Sequence, residues 1–274
     1  MFMELSPSEQ LCYSTIRIEC VTPNGGSTGT GFFFNFLENK ETHQFIPCIV
    51  TNKHVVENAV HGILVLTCKM KDGTEYLHRV NVSDFRQSWI FHPKQDVDLC
   101  ILPFQPIVEA VSAQGHNPFY ISLNADLIPT KQQLEELSAL EDIIMIGYPD
   151  GIWDAVNNKP ILRKGITATH PKRDFNGEKK FLIDAACFPG SSGSPVLILN
   201  QGSYSDRKGT VYIGSRAMFL GILHAGPQHT AQGQIRFANI PTTITSIPNN
   251  LGLVIKSDEL YGFYDILRNL AGEQ

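Results

Sequence analysis

The chain has 274 residues, 42% of them hydrophobic, and its 22 basic and 27 acidic side chains give a net charge of −5. That length suits one large β domain or two small ones, each with its own core. Without a basic block it is poorly built for nucleic acid or an anionic membrane, and no apolar run approaches the roughly 18 to 20 residues of a membrane span.

Residues 1–10 carry no basic segment leading into an apolar run, so no secretory leader is expected and the location read from the sequence is cytoplasmic. Short apolar or alternating runs bounded by turn residues then recur along the chain, as in antiparallel β barrels or sandwiches. They predict strands over 13–21, 29–36, 45–51, 62–70, 75–82 and 99–103, then 143–148, 160–169, 180–185, 194–199, 211–223 and 234–239. Asn24-Gly25, Asp72-Gly73 and Asn176-Gly177 supply hairpin turns between them. Two stretches read as helices. Residues 130–140 have a capping threonine and apolar positions at Leu134, Leu137 and Leu140. Residues 257–270 have Ser257 as cap, early acids and a late arginine. The expected organisation is two β halves, a bridging helix and a closing C-terminal helix.

Six cysteines (Cys12, Cys20, Cys48, Cys68, Cys100 and Cys187) form neither a CxxC pair nor a metal-ligand spacing, and read as buried free thiols. The run from Gly25 to Gly31 superficially suggests a phosphate loop. It lacks both the lysine and a following helix, so it reads as a loop entering a strand.

Chemistry concentrates in Pro189-Gly190-Ser191-Ser192-Gly193-Ser194-Pro195. Small residues on both sides of Ser192 allow a tight bend that exposes its hydroxyl and turns the Gly190 and Ser192 N–H groups toward one point, an oxyanion hole. A serine needs a base held by a carboxylate. His54, in Thr51-Asn52-Lys53-His54, sits where an apolar run ends, and Asp98 opens Asp98-Leu99-Cys100-Ile101-Leu102. Imidazole is the group whose ordinary pKa suits proton shuttling near neutrality. Asp96, two residues away, is the alternative acid. Asp98 is preferred because it directly precedes the apolar run. The other histidines share no metal-ligand spacing, and neither a metal nor a cofactor is expected.

The chain order His54, Asp98, Ser192 is that of the chymotrypsin type. Together with Gly29-Thr30-Gly31, Ile49-Val50-Thr51-Asn52-Lys53-His54, Asp98-Leu99-Cys100, Ile146-Gly147-Tyr148-Pro149 and Gly190-Ser191-Ser192-Gly193-Ser194-Pro195, it resembles a trypsin-like serine protease. The likeness is greatest to the disulfide-free bacterial branch with the high-temperature-requirement proteases and the glutamyl endopeptidases. The resemblance implies an all-β fold of two antiparallel six-stranded barrels with a linking and a C-terminal helix. Residues 1–125 would form the first barrel, 126–142 the connector, 143–256 the second barrel and 257–274 the C-terminal helix. His54 would be the base, Asp98 its orienter and Ser192 the nucleophile of an endopeptidase acting on protein or peptide. The alternative is an idle relative that uses the same fold to bind a peptide or protein.

By the same resemblance, Ala186, Cys187 and Phe188 would line the base and wall of the primary pocket, with Leu223, His224, Ala225 and Gly226 opposite. Ala186 stands where trypsin has its carboxylate, which disfavours Arg or Lys and favours a small or medium apolar residue before the cut. A one-residue offset from the glutamyl-specific pattern turns the His224 ring toward Asp98 or solvent. Ser191 stands where trypsin-like zymogens have the aspartate that pairs with a freed N-terminus. Activation by N-terminal processing is therefore not expected, and a regulatory protein partner or a loop rearrangement is the candidate alternative.

Overall fold

The computed structural model describes residues 5–23, 25–225, 228–229, 247–248 and 250–272. The first half contains β1 (Thr15–Thr22), β2 (Gly25–Phe36), β3 (Ile46–Thr51), β4 (His61–Lys69), β5 (Glu75–Val82), β6 (Ile90–Phe91), β7 (Cys100–Pro103) and β8 (Leu123–Asn124). They form an eight-stranded sheet in the order β5-β4-β1-β2-β3-β7-β6, with β8 added parallel to β2. The second half contains β9 (Asp142–Gly147), β10 (Ile161–Thr167), β11 (Lys180–Asp184), β12 (Pro195–Asn200), β13 (Ser203–Ser205), β14 (Val211–Ile213) and β15 (Arg216–Ala225). The short pair β16 (Gln228–His229) and β17 (Ile247–Pro248) precedes β18 (Leu251–Lys256). Here β10-β11-β18-β15-β12-β9 close into a barrel.

Among the described residues one six-stranded barrel closes through its strand pairing, and the second barrel expected is not confirmed. The N-terminal sheet does not close through hydrogen bonds among the described residues, because its β6 edge is only two residues long. Phe85 and Trp89 of the loop before β6 are both buried in the core of this sheet and in edge-to-face contact. Phe85 lies so close to β4 that a Cβ on Gly62 would meet its ring at 2.2 Å.

Helical structure also departs from expectation. The capping box at Thr130 forms, with Gln133 as its return partner, but the helix covers only Lys131–Glu136 because Leu137 is already extended. The stretch beginning at Ser257 is a 3₁₀ turn over Ser257–Phe263 followed by an α-helix over Tyr264–Ala271, and Ser257 makes no capping bond. A further helix, Gln105–Ala113, follows β7 and was not expected. Its Pro106 in the first turn was the available signal. The strand predicted over 211–223 divides into β14 and β15, and the one over 234–239 lies outside the described residues. The Asn176-Gly177 turn has both residues at positive φ, 53° and 81°, as a two-residue hairpin turn of the primed type requires.

What fixes the relative position of the two halves is a shared core. Phe32, Phe34 and Phe36 of β2 and Val50 of β3 pack with Leu197 of β12, Phe219 and Ile222 of β15, and Ile255 of β18. Leu260, Phe263 and Leu267 of the C-terminal segment close that cluster. Among the described residues no helix is long and apolar enough to cross a membrane.

All six cysteines are free, and five are buried. Burial pushes the Cys20 and Cys48 thiols up to about 12 and Cys187 to about 11. Thiolate is the reactive form. Iodoacetamide at pH 8 is thus expected to modify Cys12 first in the native protein and all six thiols only after denaturation. Peptide mass mapping of the alkylated chain checks this, and rapid native modification of Cys48 would contradict it.

Candidate active site

Strand pairing brings His54 and Asp98 together. β3 and β7 run antiparallel with Thr51 opposite Cys100. Continuing that register past the strand ends carries Asp98 to the one-turn helix Lys53–Val56 that holds His54. Asn52 clamps the junction by donating its side-chain amide to the Asp98 carbonyl at 2.8 Å. The carboxylate of Asp98 accepts the His54 backbone N–H on Oδ1 at 3.1 Å and meets His54 Nδ1 through Oδ2 at 2.5 Å. Asp96 is exposed and takes no part.

A second imidazole reaches the same oxygen, with His224 Nδ1 2.8 Å from Asp98 Oδ2. The two rings stand 5.7 Å apart and nearly perpendicular. The cause is a β-bulge. Between β15 and β18, Leu223 pairs with Val254 and Ala225 with Leu253, which leaves His224 as the extra residue. A bulged residue is free to turn away from the strand's alternation, and here it turns toward Asp98. Burial would push the Asp98 carboxyl up. The hydrogen bonds from His224 and then His54 outweigh it and hold the carboxyl well below the usual carboxylate range.

Ser192 comes from the second half, in the loop between β11 and β12. Gly190 and Gly193 have φ of 83° and 87°, a region that non-glycine residues rarely enter. There is also no space for side chains: a Cβ on Gly193 would lie 2.0 Å from the Thr30 carbonyl oxygen, and one on Gly190 2.6 Å from that of Tyr148. Gly193 N–H donates to the Leu223 carbonyl at 2.9 Å, and Leu223 N–H to that of Ser194 at 2.9 Å. The Ser192 hydroxyl donates to the His224 carbonyl at 3.1 Å. Among the described residues it has no hydrogen bond to His54. The N–H groups of Gly190 and Ser192 likewise have no acceptor among the described residues, whereas Ser191 N–H donates to the Phe188 carbonyl.

Thr30, whose role the sequence reading missed, ties this loop to β2. Its hydroxyl donates to the Gly190 carbonyl at 2.9 Å and accepts from Tyr148 N–H at 3.1 Å. Its backbone N–H donates to the Ser192 carbonyl at 3.0 Å, and its own carbonyl accepts the Thr51 hydroxyl at 2.7 Å. The available signal was its position between Gly29 and Gly31, where added Cβ atoms would run into Val55 and Ile49.

The pocket residues divide. Ala186 and Phe188 are half-buried, and Arg163 donates its guanidinium to the Ala186 carbonyl while lying 4.9 Å over the Phe188 ring. Cys187 and Leu223, expected as wall residues, are instead buried in the barrel core with Phe181, Ile183 and Val254, Leu223 because strand alternation on β15 turns it inward and Cys187 from the loop after β11. The His224 ring belongs to the Asp98 cluster and not to a pocket wall. Gly226 and the Ala225 side chain lie outside what is described. His54, Asp98 and His224 also offer three ligand atoms within 4.8 Å of one another, a set a metal ion could use, although their mutual hydrogen bonds already account for the arrangement.

Residues 29–203 match the family model described as a trypsin-like peptidase domain. The chain belongs to that family. The matched stretch holds His54, Asp98 and Ser192. No curated protein matches it. Among solved structures it is similar to the active form of the Rv3671c protease from M. tuberculosis, at 16% identity and a TM-score of 0.47, covering 94% of this chain and 85% of that one. It is also similar to the HtrA-type protease AlgW with a decapeptide, at 14% identity and a TM-score of 0.48, covering 98% and 69%. A serine endoprotease from Yersinia pestis matches at 14% identity and a TM-score of 0.45, covering 97% and 68%.

Proposed function

We propose that this peptidase is an active serine endopeptidase, with residues 1–125 and 143–256 acting as one catalytic unit. The carrying observation is the 2.5 Å contact between His54 Nδ1 and an Asp98 carboxylate held ionised, which is linked through His224 to Ser192 in a loop with two positive-φ glycines. In this reading Asp98 keeps the proton on Nδ1, so that Nε2 of His54 is the basic atom. Ser192 Oγ attacks the scissile carbonyl carbon and passes its proton to His54. The charge on the carbonyl oxygen is taken up by the N–H groups of Gly190 and Ser192. Collapse expels the amine, which receives the proton from His54, and leaves an acyl-Ser192. Water, deprotonated by His54, then releases the acid and restores Ser192.

The substrate is a protein or peptide with a small or medium apolar residue before the cut, since Ala186 brings no carboxylate. The competing reading, a catalytically idle binding module, is favoured by one observation: the Ser192 hydroxyl is donated to the His224 carbonyl. A fluorophosphonate probe separates the two. Stoichiometric labelling located on Ser192 by mass spectrometry is expected. A fully folded protein that leaves the probe unreacted sinks the endopeptidase reading.

A further inference from the structure

Behind Gly190 lies a set of contacts that the chemistry above does not use. The Pro189 carbonyl accepts a hydrogen bond from Asp150 N–H at 2.5 Å. In a trans peptide the C=O and the following N–H point in opposite directions, and no cis peptide occurs among the described residues. The grip on the Pro189 carbonyl therefore directs the Gly190 N–H away from Asp150. The orientation of an oxyanion donor is thus set by the turn Pro149–Gly151, in which Asp150 itself takes a left-handed conformation with φ 48° and ψ 25°.

That turn is held by Arg17 of β1. The Arg17 side chain, only 13% exposed, donates through Nη1 to the Gly151 carbonyl and lies 4.3 Å over the Trp153 ring. Its Nε donates to Glu19 at 2.9 Å, and Glu19 is held in turn by Arg79. One planar guanidinium thus reaches a backbone carbonyl, a carboxylate and an aromatic face at once, which an ammonium cannot do. On the other side of the loop, Arg163 binds the Ala186 carbonyl and covers Phe188, and the Phe188 carbonyl accepts Ser191 N–H. Ser191, by contrast, is buried, and its hydroxyl has no partner among the described residues. It offers no carboxylate through which a cation could fix the loop.

We propose that Arg17, through the Pro149–Gly151 turn, and Arg163, through Ala186 and Phe188, are positioning residues that hold the Pro189–Gly190 peptide with its donor turned outward. The oxyanion site is then assembled by contacts internal to the chain and needs no freed N-terminus. The inference rests on the endopeptidase reading, and its test has one arm that does not require turnover.

Arg17→Gln, Arg163→Gln and the double variant are compared with the full-length wild type. Misplacing one oxyanion donor costs about 10²–10³ in kcat, so Arg17→Gln is expected to lose that much with KM little changed. Affinity for a peptide boronate, whose tetrahedral adduct carries the oxyanion, should fall in parallel. Arg17→Lys keeps the charge but not the fork. It should recover only part of the loss, and it serves as the comparison should the glutamine variant unfold. The arm independent of turnover is the ¹⁵N–¹H resonance of Gly190, which should move or broaden in Arg17→Gln while resonances of the C-terminal helix Tyr264–Ala271 stay in place. Unchanged kcat, boronate affinity and Gly190 resonance in the double variant would overturn the proposal. A shifted Gly190 resonance in a chain whose wild type neither turns over peptide nor takes up a fluorophosphonate would count against the endopeptidase reading alone.

Discussion

Replacing Ser192 with alanine is expected to lower kcat about 10⁶-fold, the loss seen when a nucleophile is removed from a triad. Neither neighbouring serine can substitute for it. Ser191 and Ser194 are 1% and 0% exposed, so their hydroxyls cannot reach a substrate carbonyl. The fold should survive, because among the described residues the half-buried Ser192 hydroxyl makes a single hydrogen bond, to the His224 carbonyl, worth about 1 kcal/mol. For a chain of this size that corresponds to about 2–4 °C in melting temperature. Turnover of a casein or peptide substrate, measured beside thermal unfolding, checks both halves of the expectation. Residual activity above about 1% of wild type would mean that another nucleophile, or a contaminant, does the cleavage, because background catalysis from the oxyanion donors alone is orders of magnitude smaller.

The residues proposed for catalysis could be singled out because each is marked by local sequence. His54 follows an apolar strand, Asp98 precedes one, and Ser192 sits among residues small enough for φ values that only glycine tolerates well. Strand positions followed from hydrophobic alternation for the same reason. Closure of the first sheet was not legible, because it depends on whether a short edge strand such as the two-residue β6 finds a partner. Alternation carries no information on that choice. The helix over 130–140 was overextended, since the apolar spacing of Leu134, Leu137 and Leu140 continues after the backbone has left the helix at Leu137.

The residues around His54, Asp98 and Ser192 were illegible for a different reason. Thr30, Asn52, Arg17 and Arg163 act through backbone carbonyls and N–H groups far away in the chain, as in the Arg17 contact with Gly151 and the Thr30 contact with Gly190. Such contacts leave no spacing pattern. The orientation of His224 was half legible. An offset of one residue indicated that its ring would leave the pocket wall, and the bulge opposite β18 sends it to Asp98. Side-chain alternation alone cannot distinguish an acid from solvent on that face.

Asp98→Asn is expected to lower kcat about 10⁴-fold, and the geometry explains why an amide cannot stand in. In the native site one carboxylate oxygen accepts the His54 backbone N–H at 3.1 Å and the other accepts both Nδ1 atoms, from His54 at 2.5 Å and His224 at 2.8 Å. An asparagine has one oxygen and one NH₂ group. With its oxygen toward the two imidazoles, the NH₂ faces the His54 N–H donor. In the flipped orientation the NH₂ faces both rings and forces their Nδ1 atoms to become acceptors. The proton of His54 then moves to Nε2, where Ser192 needs a base. Either arrangement breaks at least one contact that sets the ring's position or tautomer. The loss should fall on kcat and leave KM nearly unchanged, since Asp98 touches no substrate. Acid stability supplies a second readout. A carboxyl whose folded pKa is depressed stabilises the fold above its unfolded value of about 3.9, and that stabilisation is lost as the pH falls below it. Between pH 5 and pH 2 the wild type should therefore lose more melting temperature than Asp98→Asn. Equal acid sensitivity in the two proteins, together with kcat within tenfold of wild type, would remove Asp98 from the catalytic role argued for it.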